Sequence, residues 1–363
     1  MAAAQYLIPE TRVLTIASHV TYGYVGNTMA AFVLQALGCE ASSINTVHFS
    51  NHTGYRQVKG TKATAAEIDD LYVGLKNSGL DDFDMMLSGY IPGREAVEVV
   101  GTIARDLKSK AAERPGSFFW VLDPVMGDNG KLYVAEDVVP AYKKLVYDAD
   151  LIMPNQFEAE WLSGVKITDV ESLKEAITSI HEIYKVPHVL ITSVNLTAPG
   201  EIPSLSVVGS TKTSLDKPRI FRVQVPSLDC FFCGTGDMLA ALMVVRFREA
   251  VCAVDGLGQK ESWVSGDEVA EIELPLARAV EKALASMQEV LARTLVKRNE
   301  EIAAWETKNG AGGDAEVEKK RYLMKTKAAE VRLIRNLECL KHPEVKYLAE
   351  KIDIVGNLPI GIV

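Results

Sequence analysis

Several features of secreted and membrane proteins are missing from this sequence. It has five cysteines in 363 residues, too few for a disulfide framework in a chain of this length. No apolar run is long enough to span a bilayer, and residues 1–6 lack the basic start and apolar centre of a signal peptide. These absences predict a soluble protein of the reducing cytoplasm, with access to the nucleus left open.

Positive charge is also in short supply. The formal net charge is −9, which argues against nucleic acid or an anionic membrane surface as the main partner. A phosphate ligand would need backbone amides, local positive charge or a metal ion. Hydrophobic residues make up 48% of the chain, enough for a large core. We expect one domain over 1–363, with its catalytic part at about residues 10–250.

Short β-branched runs alternate with helical patterns through the first half of the chain. Strands are expected at 12–17, 41–45, 83–88, 118–122, 151–153 and 189–192. Helices are expected at 29–37, 64–76 and 94–112, the second of them opened by a Thr-x-x-Glu capping box. Such alternation predicts an α/β fold in which helices cover both faces of a mostly parallel sheet.

Polar side chains stand at or just beyond the ends of these strands. They are Ser18, Asp123, Asp128, Asn155, Glu158 and Thr192. Ligands of parallel sheets bind at the carboxyl ends of the strands, so these groups are expected to share one edge. Asp123 and Asp128, on a loop with proline and glycine, suit a hard cation or a metal-bound phosphate, although a solvated acidic loop is the alternative. For Ser18, the alternative is a helix cap or a turn hydroxyl.

An apolar helical run begins at Met238, directly after the residues Cys233-Gly234-Thr235-Gly236-Asp237. Two glycines before a helix allow a tight turn whose N–H groups, with the positive end of the helix dipole, bind an anion. Asp237 is then either a partner of the dipole or a base that takes a proton from a hydroxyl while the amides hold a phosphoryl group. The polar groups at the strand ends favour phosphoryl transfer.

A Cys-x-x-Cys pair, Cys230 and Cys233, adjoins this turn. A zinc site needs two further ligands at suitable spacing, and the sequence has no second pair. Phe231 and Phe232, between the two cysteines, suit a buried wall. The six histidines are scattered along the chain. We therefore expect packing here rather than zinc or redox chemistry.

The organisation of the chain changes after residue 248. The expected segments are a polar, glycine-rich loop at 255–267, a helix over 269–299, a low-complexity linker at 308–314, a solvated helix to about residue 337 and an irregular tail from Pro343. The helix over 269–299 has an apolar stripe that indicates core packing: Ala277, Val280, Leu284, Met287 and Leu291. These C-terminal helices, 268–340, are expected to complete the same domain.

A series of short motifs gives the sequence a specific resemblance. In order they are Ser18-His19-Val20, Gly23-Tyr24-Val25-Gly26-Asn27, Phe49-Ser50-Asn51-His52-Thr53-Gly54-Tyr55, Gly89-Tyr90, Asp123-Pro124-Val125-Met126-Gly127-Asp128, Pro154-Asn155-Gln156-Phe157-Glu158-Ala159-Glu160, Ile191-Thr192-Ser193 and Gly234-Thr235-Gly236-Asp237. With them the sequence resembles the eukaryotic pyridoxal kinases of the ribokinase-like superfamily. The resemblance is continuous over 12–248 and weaker beyond.

The resemblance implies a ribokinase-like three-layer α/β/α fold and ATP-dependent phosphorylation of the 5′-hydroxymethyl group of pyridoxal, pyridoxine or pyridoxamine. It also implies Mg²⁺ with ATP, a monovalent cation (K⁺ or Na⁺) and a homodimer. On the acceptor side, the implied hydrogen-bonding groups are Ser18 and Thr53, and the implied walls are Val25, Phe49, Tyr90 and Cys233. The implied catalytic residues are Asp237 as base and Gly234, Thr235 and Gly236 as the amides that hold the transferring phosphate.

The resemblance assigns further residues to the nucleotide and the cations. Those implied to bind ATP are Asp123, Tyr133, Asn155, Glu158, Thr192, Ser193, Phe232, Gly234 and Thr235, with Tyr133 as part of a lid. Those implied to contact Mg²⁺ or the monovalent cation are Asp123, Asp128, Glu158 and Thr192.

The sequence departs from the animal members of that family at three places. Met153 replaces a threonine near the implied monovalent cation, so either a backbone carbonyl suffices there or cation dependence is altered. Cys233 replaces a small aliphatic residue, which predicts a thiol-sensitive pocket wall. The segments 255–267 and 308–316 look like insertions and are expected to be surface extensions.

Two other functions compete with this interpretation. A hydroxymethylpyrimidine kinase of the same superfamily would act on another ring with a CH₂OH arm, and the motif at 49–55 disfavours it. A non-catalytic carrier or sensor of vitamin B6 would need no base beside the phosphate turn, so the intact turn and Asp237 disfavour that role.

Overall fold

The computed structural model describes residues 8–128, 130–194, 204–310 and 314–352. The strands in these ranges are β1 (Arg12–Val20), β2 (Glu40–Phe49), β3 (Gly60–Lys62), β4 (Met85–Ser88), β5 (Phe119–Leu122), β6 (Gly127–Asp128), β7 (Lys131–Leu132), β8 (Leu151–Ile152), β9 (His188–Val194), β10 (Ser204–Lys212), β11 (Pro218–Pro226) and β12 (Glu350–Lys351). β6 and β7 pair with each other, and the others form one ten-stranded sheet.

The helices lie between and after these strands. They are α1 (Asn27–Ala36), α2 (Ala65–Asn77), α3 (Arg94–Lys110), α4 (Val139–Val146), α5 (Gln156–Ser163), α6 (Val170–Tyr184), α7 (Thr235–Cys252), α8 (Pro275–Asn309), α9 (Ala315–Ala328) and α10 (Leu337–Lys341). The capping box predicted before α2 is confirmed, because the Thr64 hydroxyl accepts from the N–H of Glu67 and the Glu67 carboxylate accepts from the N–H of Thr64.

The central sheet is parallel in its middle and antiparallel at both edges. Its order is β12-β11-β10-β9-β8-β5-β4-β1-β2-β3, and the strands from β9 to β2 run parallel. The carboxyl ends of these six strands therefore meet at one edge, where the polar residues were predicted to gather. The hairpin of β10 and β11, which pair antiparallel, was not predicted.

Helices cover both faces of the sheet, so the predicted three-layer α/β fold is confirmed. On one face α1, α7 and α8 pack in a core that includes Val33, Leu239 and Leu284. On the other face α2 to α6 enclose a second core around Trp120 and Ile177. Every side chain from Met238 to Phe247 is buried, since α7 lies between the sheet and α8. The apolar stripe predicted for the long C-terminal helix is buried as well.

Residues 255–267 are only in part the surface extension that we expected, because some of them are buried. Trp263 is 1% exposed, and its ring stacks on that of Phe119 at 4.1 Å between centroids. The neighbouring Ser262 hydroxyl donates to the Asp150 carboxylate at 2.6 Å. Because Phe119 starts β5, the segment covers the amino-terminal end of the strands, opposite the polar edge. The polar, glycine-rich composition of the segment led to the prediction of a surface loop, although its one tryptophan is buried.

The C-terminal helices differ from their expected limits. α8 starts at Pro275, which occupies the first helical turn, and continues to Asn309, so the first two residues of the expected linker are helical and Asp314 at its end caps α9. Residues 311–313 of that linker lie outside the described residues. α9 ends at Ala328 rather than near residue 337. Beyond it the chain is irregular, and Val331 and Leu333 are buried. Burial of alternate residues here, rather than a helix, accounts for the apolar residues of this segment.

Among the helices of the described residues, none combines the length and the apolar character needed to cross a bilayer.

Candidate active site

A cavity of about 660 Å³ opens at the carboxyl ends of the parallel strands. Every residue that the sequence assigned to a site lines it: Ser18, Val25, Phe49, Thr53, Tyr90, Asp123, Asp128, Tyr133, Asn155, Glu158, Thr192, Ser193, Phe232, Cys233, Gly234, Thr235, Gly236 and Asp237. The cavity is therefore large enough and polar enough for a small ring compound and phosphate groups. The individual roles of these residues stay predictions.

Ser18 lies at an irregularity in the pairing of β1 with β2. Ala17 pairs with Asn45 and Ser18 with Val47, so Thr46 is the extra residue of a bulge on β2. Gly26, in the loop after β1, packs against Ser18 with φ +52, and a β-carbon on Gly26 would stand 2.0 Å from the Ser18 carbonyl oxygen. A glycine is thus required at residue 26, and the loop can bring Val25 to the cavity wall.

The tight turn predicted from the two glycines before α7 is present, and its use as an anion site stays a prediction. Gly234 caps the helix with φ +80, and a β-carbon there would lie 2.1 Å from the carbonyl oxygen of Tyr24. Only glycine allows this approach, which packs the turn against the loop that carries Val25. Thr235 and Gly236 begin the helix at the cavity wall, where the N–H groups of a first helical turn and the dipole favour negative charge.

Asp237 is the carboxylate closest to that turn in the chain. Burial raises its pKa to about 6, although the N–H of Gly26 donates to the carboxylate and by itself lowers the pKa. Gly89 at the end of β4 lies next to it, since a β-carbon there would be 3.9 Å from Asp237 Oδ1. A carboxylate with a pKa just below neutrality is suited to accept a proton during catalysis.

The acidity of Asp237 gives a pH dependence. The carboxylate is deprotonated above its pKa of about 6 and takes up a proton below it, which removes the base. We predict that kcat/KM for the acceptor is level above about pH 6 and falls about tenfold per pH unit below it. Initial rates between about pH 5 and pH 8, at constant concentration of the Mg²⁺–ATP complex, measure this. A profile that stays level to the acid end would contradict Asp237 as the base.

Glu158 and Asn155 tie the start of α5 to the loop after β5. Oε1 of Glu158 accepts from the N–H of Met126 at 2.8 Å and of Gly127 at 3.3 Å, and Oε2 accepts from the N–H of Asn155 at 2.9 Å. The Asn155 amide donates to the Gly127 carbonyl oxygen at 2.7 Å. Both side chains therefore have a structural role in addition to the predicted contact with the nucleotide, because they fix the loop that ends in Asp128.

The carboxylates on this side of the cavity repel one another. Burial, and then the charges of Glu158 and Asp237, hold the pKa of Asp123 well above its usual range. Burial raises the pKa of Glu158 to about 7, although its backbone donors oppose the shift. A cation is the natural partner of such a cluster. In the described residues, however, no three histidine, cysteine or acidic side chains are placed to hold a metal together. Mg²⁺ that arrives with phosphate groups usually keeps several water ligands, so it does not require three protein ligands.

The remaining walls include residues that the sequence analysis did not assign. They are Val20, Val47, His52, Val125, Gly127, Met153 and Phe231. His52 is part of the motif at 49–55 that supports the family resemblance, but its neighbours in the sequence indicated no role for it. Both phenylalanines of the Cys-x-x-Cys segment were predicted to form a buried wall. The prediction is correct for Phe232, which is 7% exposed, and wrong for Phe231, which is 74% exposed. Phe231 lies at the mouth of the cavity, where no core covers it.

A second cavity of about 700 Å³ adjoins the first and shares Asp128, Ser193, Phe231, Phe232 and Thr235 with it. Its other walls come from α5, from the end of β11 and from Met287 and Leu291 of α8. The two cavities together form an elongated site, with Asp237 in the first and an apolar end in the second. Such a shape suits a small acceptor at one end and a nucleotide base at the other.

Comparisons with known proteins agree with this geometry. A family model described as phosphomethylpyrimidine kinase matches residues 33–251. A pyridoxal kinase from Ovis aries is 41% identical over 245 residues, covering 65% of this chain and 77% of that protein. A putative pyridoxal kinase from Schizosaccharomyces pombe is 38% identical over 283 residues, covering 78% of this chain and 85% of that protein.

A solved structure extends the likeness to the whole fold. The pyridoxal kinase from Leishmania donovani, in complex with ADP and pyridoxamine, matches with a TM-score of 0.74 at 30% identity, over 94% of this chain and 99% of that chain. The chain belongs to the pyridoxal kinase family. The predicted resemblance, the ribokinase-like fold and an ATP-dependent kinase activity are thereby confirmed.

Proposed function

We propose that this chain transfers the γ-phosphoryl group of ATP to the 5′-hydroxymethyl group of pyridoxal, pyridoxine or pyridoxamine. The carboxylate of Asp237 accepts the hydroxyl proton while the oxygen attacks the γ-phosphorus and the bond to ADP breaks. The N–H groups at Gly234, Thr235 and Gly236 hold the transferring phosphoryl group. Phosphoryl transfer needs in-line placement and charge neutralisation more than covalent help, and this turn supplies both.

The acceptor ring is proposed to bind at the end of the cavity formed by β1, β2 and β4. Ser18 and Thr53 hydrogen-bond to the ring and its substituents, and Val25, Phe49, Tyr90 and Cys233 surround it. Its hydroxymethyl arm then reaches Asp237. The Leishmania donovani relative, whose structure is a complex with ADP and pyridoxamine, supports an acceptor of this class. The predicted thiol sensitivity of the wall at Cys233 stays a prediction.

ATP is proposed to lie across both cavities, with its phosphates near Asp123, Asn155, Glu158, Thr235 and Gly234. The remaining contacts are Thr192, Ser193, Phe232 and Tyr133, and Tyr133 is 59% exposed, as a movable lid residue would be. Mg²⁺, carried with the triphosphate, would neutralise phosphate charge. The residues proposed to contact it or the monovalent cation are Asp123, Asp128, Glu158 and Thr192. The effect of Met153 on monovalent cation dependence stays open to test.

The observation that supports this function most directly is the position of Asp237, beside an anion turn and inside a cavity that accommodates a ring. The test is initial-rate ADP release from ATP and Mg²⁺, with pyridoxal and hydroxymethylpyrimidine in parallel. We expect pyridoxal to be the better acceptor by kcat/KM. The pyrimidine is the relevant competitor because the matching family model is described as phosphomethylpyrimidine kinase. Preference for the pyrimidine would contradict the proposed acceptor but not the proposed mechanism. Tight pyridoxal binding without turnover would indicate a carrier instead.

The remaining expectations concern the protein's surroundings. A homodimer is proposed from the family resemblance, and a cytoplasmic location from the small number of cysteines. Neither nucleic acid nor a membrane surface is expected as a partner, because the net charge is −9.

A further inference from the structure

Glu330 lies outside the sheet, in the turn after α9, yet its carboxylate contacts two loops of the acceptor end of the cavity. Its Oε1 is 3.0 Å from Nε2 of His52 and accepts from the Tyr55 hydroxyl at 2.9 Å. A β-carbon on Gly23 would stand 2.6 Å from Oε2, so the loop that carries Val25 packs against the same carboxylate. The Glu330 side chain is 15% exposed, so these contacts are largely shielded from water.

His52 connects this carboxylate to the cavity. Its side chain is 8% exposed and lines the cavity wall. Nδ1 has no oxygen or nitrogen partner among the described residues. It lies beside Cys233, since a β-carbon on Gly54 would be 2.8 Å from Nδ1 and 3.0 Å from the Cys233 sulfur. The groups that face the imidazole are therefore the Glu330 carboxylate, the Cys233 thiol and the Tyr55 ring, whose centroid is 4.7 Å away.

Electrostatics keep this imidazole protonated. Burial by itself lowers the pKa of His52, but the neighbouring Cys233 and Glu330 side chains outweigh it and raise the pKa to about 9. At neutral pH the cavity wall therefore contains a cation, in a chain whose formal net charge is −9. A buried imidazolium depends strongly on its carboxylate partner, because burial favours the neutral form once the partner is lost.

The same C-terminal segment also holds the backbone of the loop around Thr53. The Tyr322 hydroxyl, on α9, donates to the carbonyl oxygen of Gly54 at 2.5 Å. The Arg56 guanidinium lies 4.1 Å above the ring of Tyr322. The loop is thus braced from outside the sheet by α9 and the turn that follows it.

We propose that Glu330 is a positioning residue of the acceptor site, which holds the His52 ring in the cavity wall and fixes the loops that carry Val25 and Thr53. This inference rests on the proposed acceptor site, because it assigns a task to groups around it. The imidazolium provides a charged N–H donor in the wall, suited to an oxygen substituent of the acceptor ring. The C-terminal segment, expected from sequence to be a solvated helix, then completes the catalytic part of the chain.

The test compares Glu330→Gln with Glu330→Asp, and with Glu301→Gln as a matched control. Glu301 lies on α8 and does not line the cavity. It pairs at 2.6 Å with Arg332, which is two residues after Glu330. The direct readout is the titration of His52 by NMR of histidine-labelled protein, assigned with His52→Gln. The chain has six histidines, so the spectrum is simple. The kinetic readouts are KM for pyridoxal and KM for ATP at about pH 7.5.

We expect the His52 titration midpoint near pH 9 in the wild type and in Glu301→Gln, and at least about one unit lower in Glu330→Gln. KM for pyridoxal is expected to rise at least about tenfold in Glu330→Gln while KM for ATP changes less than about twofold, with partial recovery in Glu330→Asp. A purely structural role would lower kcat and both affinities together and would not move the midpoint.

An unchanged midpoint or an unchanged KM for pyridoxal in Glu330→Gln would overturn the inference. If that variant does not fold, the wild type still tests it, because a His52 midpoint near the ordinary value of about 6.5 would overturn it as well. Failure of the proposed function is distinguishable, since it would appear as wild-type protein that does not phosphorylate pyridoxal whatever the state of His52.

Discussion

Replacing Asp237 with asparagine is expected to lower kcat by about 10²–10⁴ while KM for ATP stays within about twofold of the wild type. The amide has nearly the same shape as the carboxylate, and its oxygen can still accept from the N–H of Gly26, so the turn should keep its geometry. What is lost is a group that takes a proton near neutral pH. The measurement is the initial rate of ADP release with pyridoxal, over a range of ATP concentrations.

Asp229→Asn is the matched control for this substitution. Asp229 is an exposed carboxylate that precedes the same glycine turn and does not line the cavity. Its removal changes the net charge by the same amount, and we expect kcat to stay within about twofold of the wild type because surface charges act weakly. Near-normal turnover in Asp237→Asn would contradict the assignment of the base, and an equal loss in both variants would attribute the effect to charge.

Gly234→Ala is expected to be almost as damaging, and for a different reason. The added methyl group would lie 2.1 Å from the Tyr24 carbonyl oxygen, and φ +80 is unfavourable for any residue with a β-carbon. The turn has to shift, which moves the N–H groups away from the transferring phosphate. We expect kcat/KM to fall at least about 100-fold and the free energy of unfolding to fall by about 1–3 kcal/mol.

Steady-state kinetics and denaturant unfolding measure the two effects of Gly234→Ala. The control is Gly74→Ala in α2, where a β-carbon meets no other heavy atom within 4 Å. Alanine is the better helix former, so we expect unchanged kinetics and a gain in stability of up to about 1 kcal/mol. Full activity in Gly234→Ala would show that the turn does not hold the phosphoryl group.

Much of the site was predictable because its residues follow local rules. Ser18, Asp123, Asn155 and Thr192 stand at strand ends, and parallel strands bring such residues to one edge. The two glycines around Thr235 indicated a turn before a helix, and the structure places that turn on the cavity. Local sequence was sufficient to place these residues at one edge of the sheet, whereas their individual roles were implied by the family resemblance.

Residues whose position depends on distant partners were not predictable in this way. Glu330 contacts His52 across 278 positions of sequence, and no proline or glycine marks the end of α9 before it. Trp263 stands alone in a polar segment, and its stacking partner Phe119 belongs to a strand far earlier in the chain. Tertiary packing determines such contacts, and they cannot be predicted from a local sequence pattern.

The missed hairpin has two separate causes. β10 is buried almost throughout, so it lacks the alternation that marks a half-exposed strand. β11 does alternate, with Phe221, Val223 and Val225 buried between more exposed neighbours, and this signal was available in the sequence. The sequence pattern of β11 therefore predicts one of the two strands of this antiparallel edge.

The central claim is that Asp237 activates the hydroxymethyl group of a pyridoxal-type acceptor for attack on ATP. The most direct test measures the pyridoxal 5′-phosphate formed and the ADP released in the same reaction, by wild type and by Asp237→Asn. We predict equal amounts of the two products from the wild type, and a loss of both by about 10²–10⁴ in rate in the variant. ADP release without phosphorylated pyridoxal, or product formation that survives in Asp237→Asn, would contradict the claim.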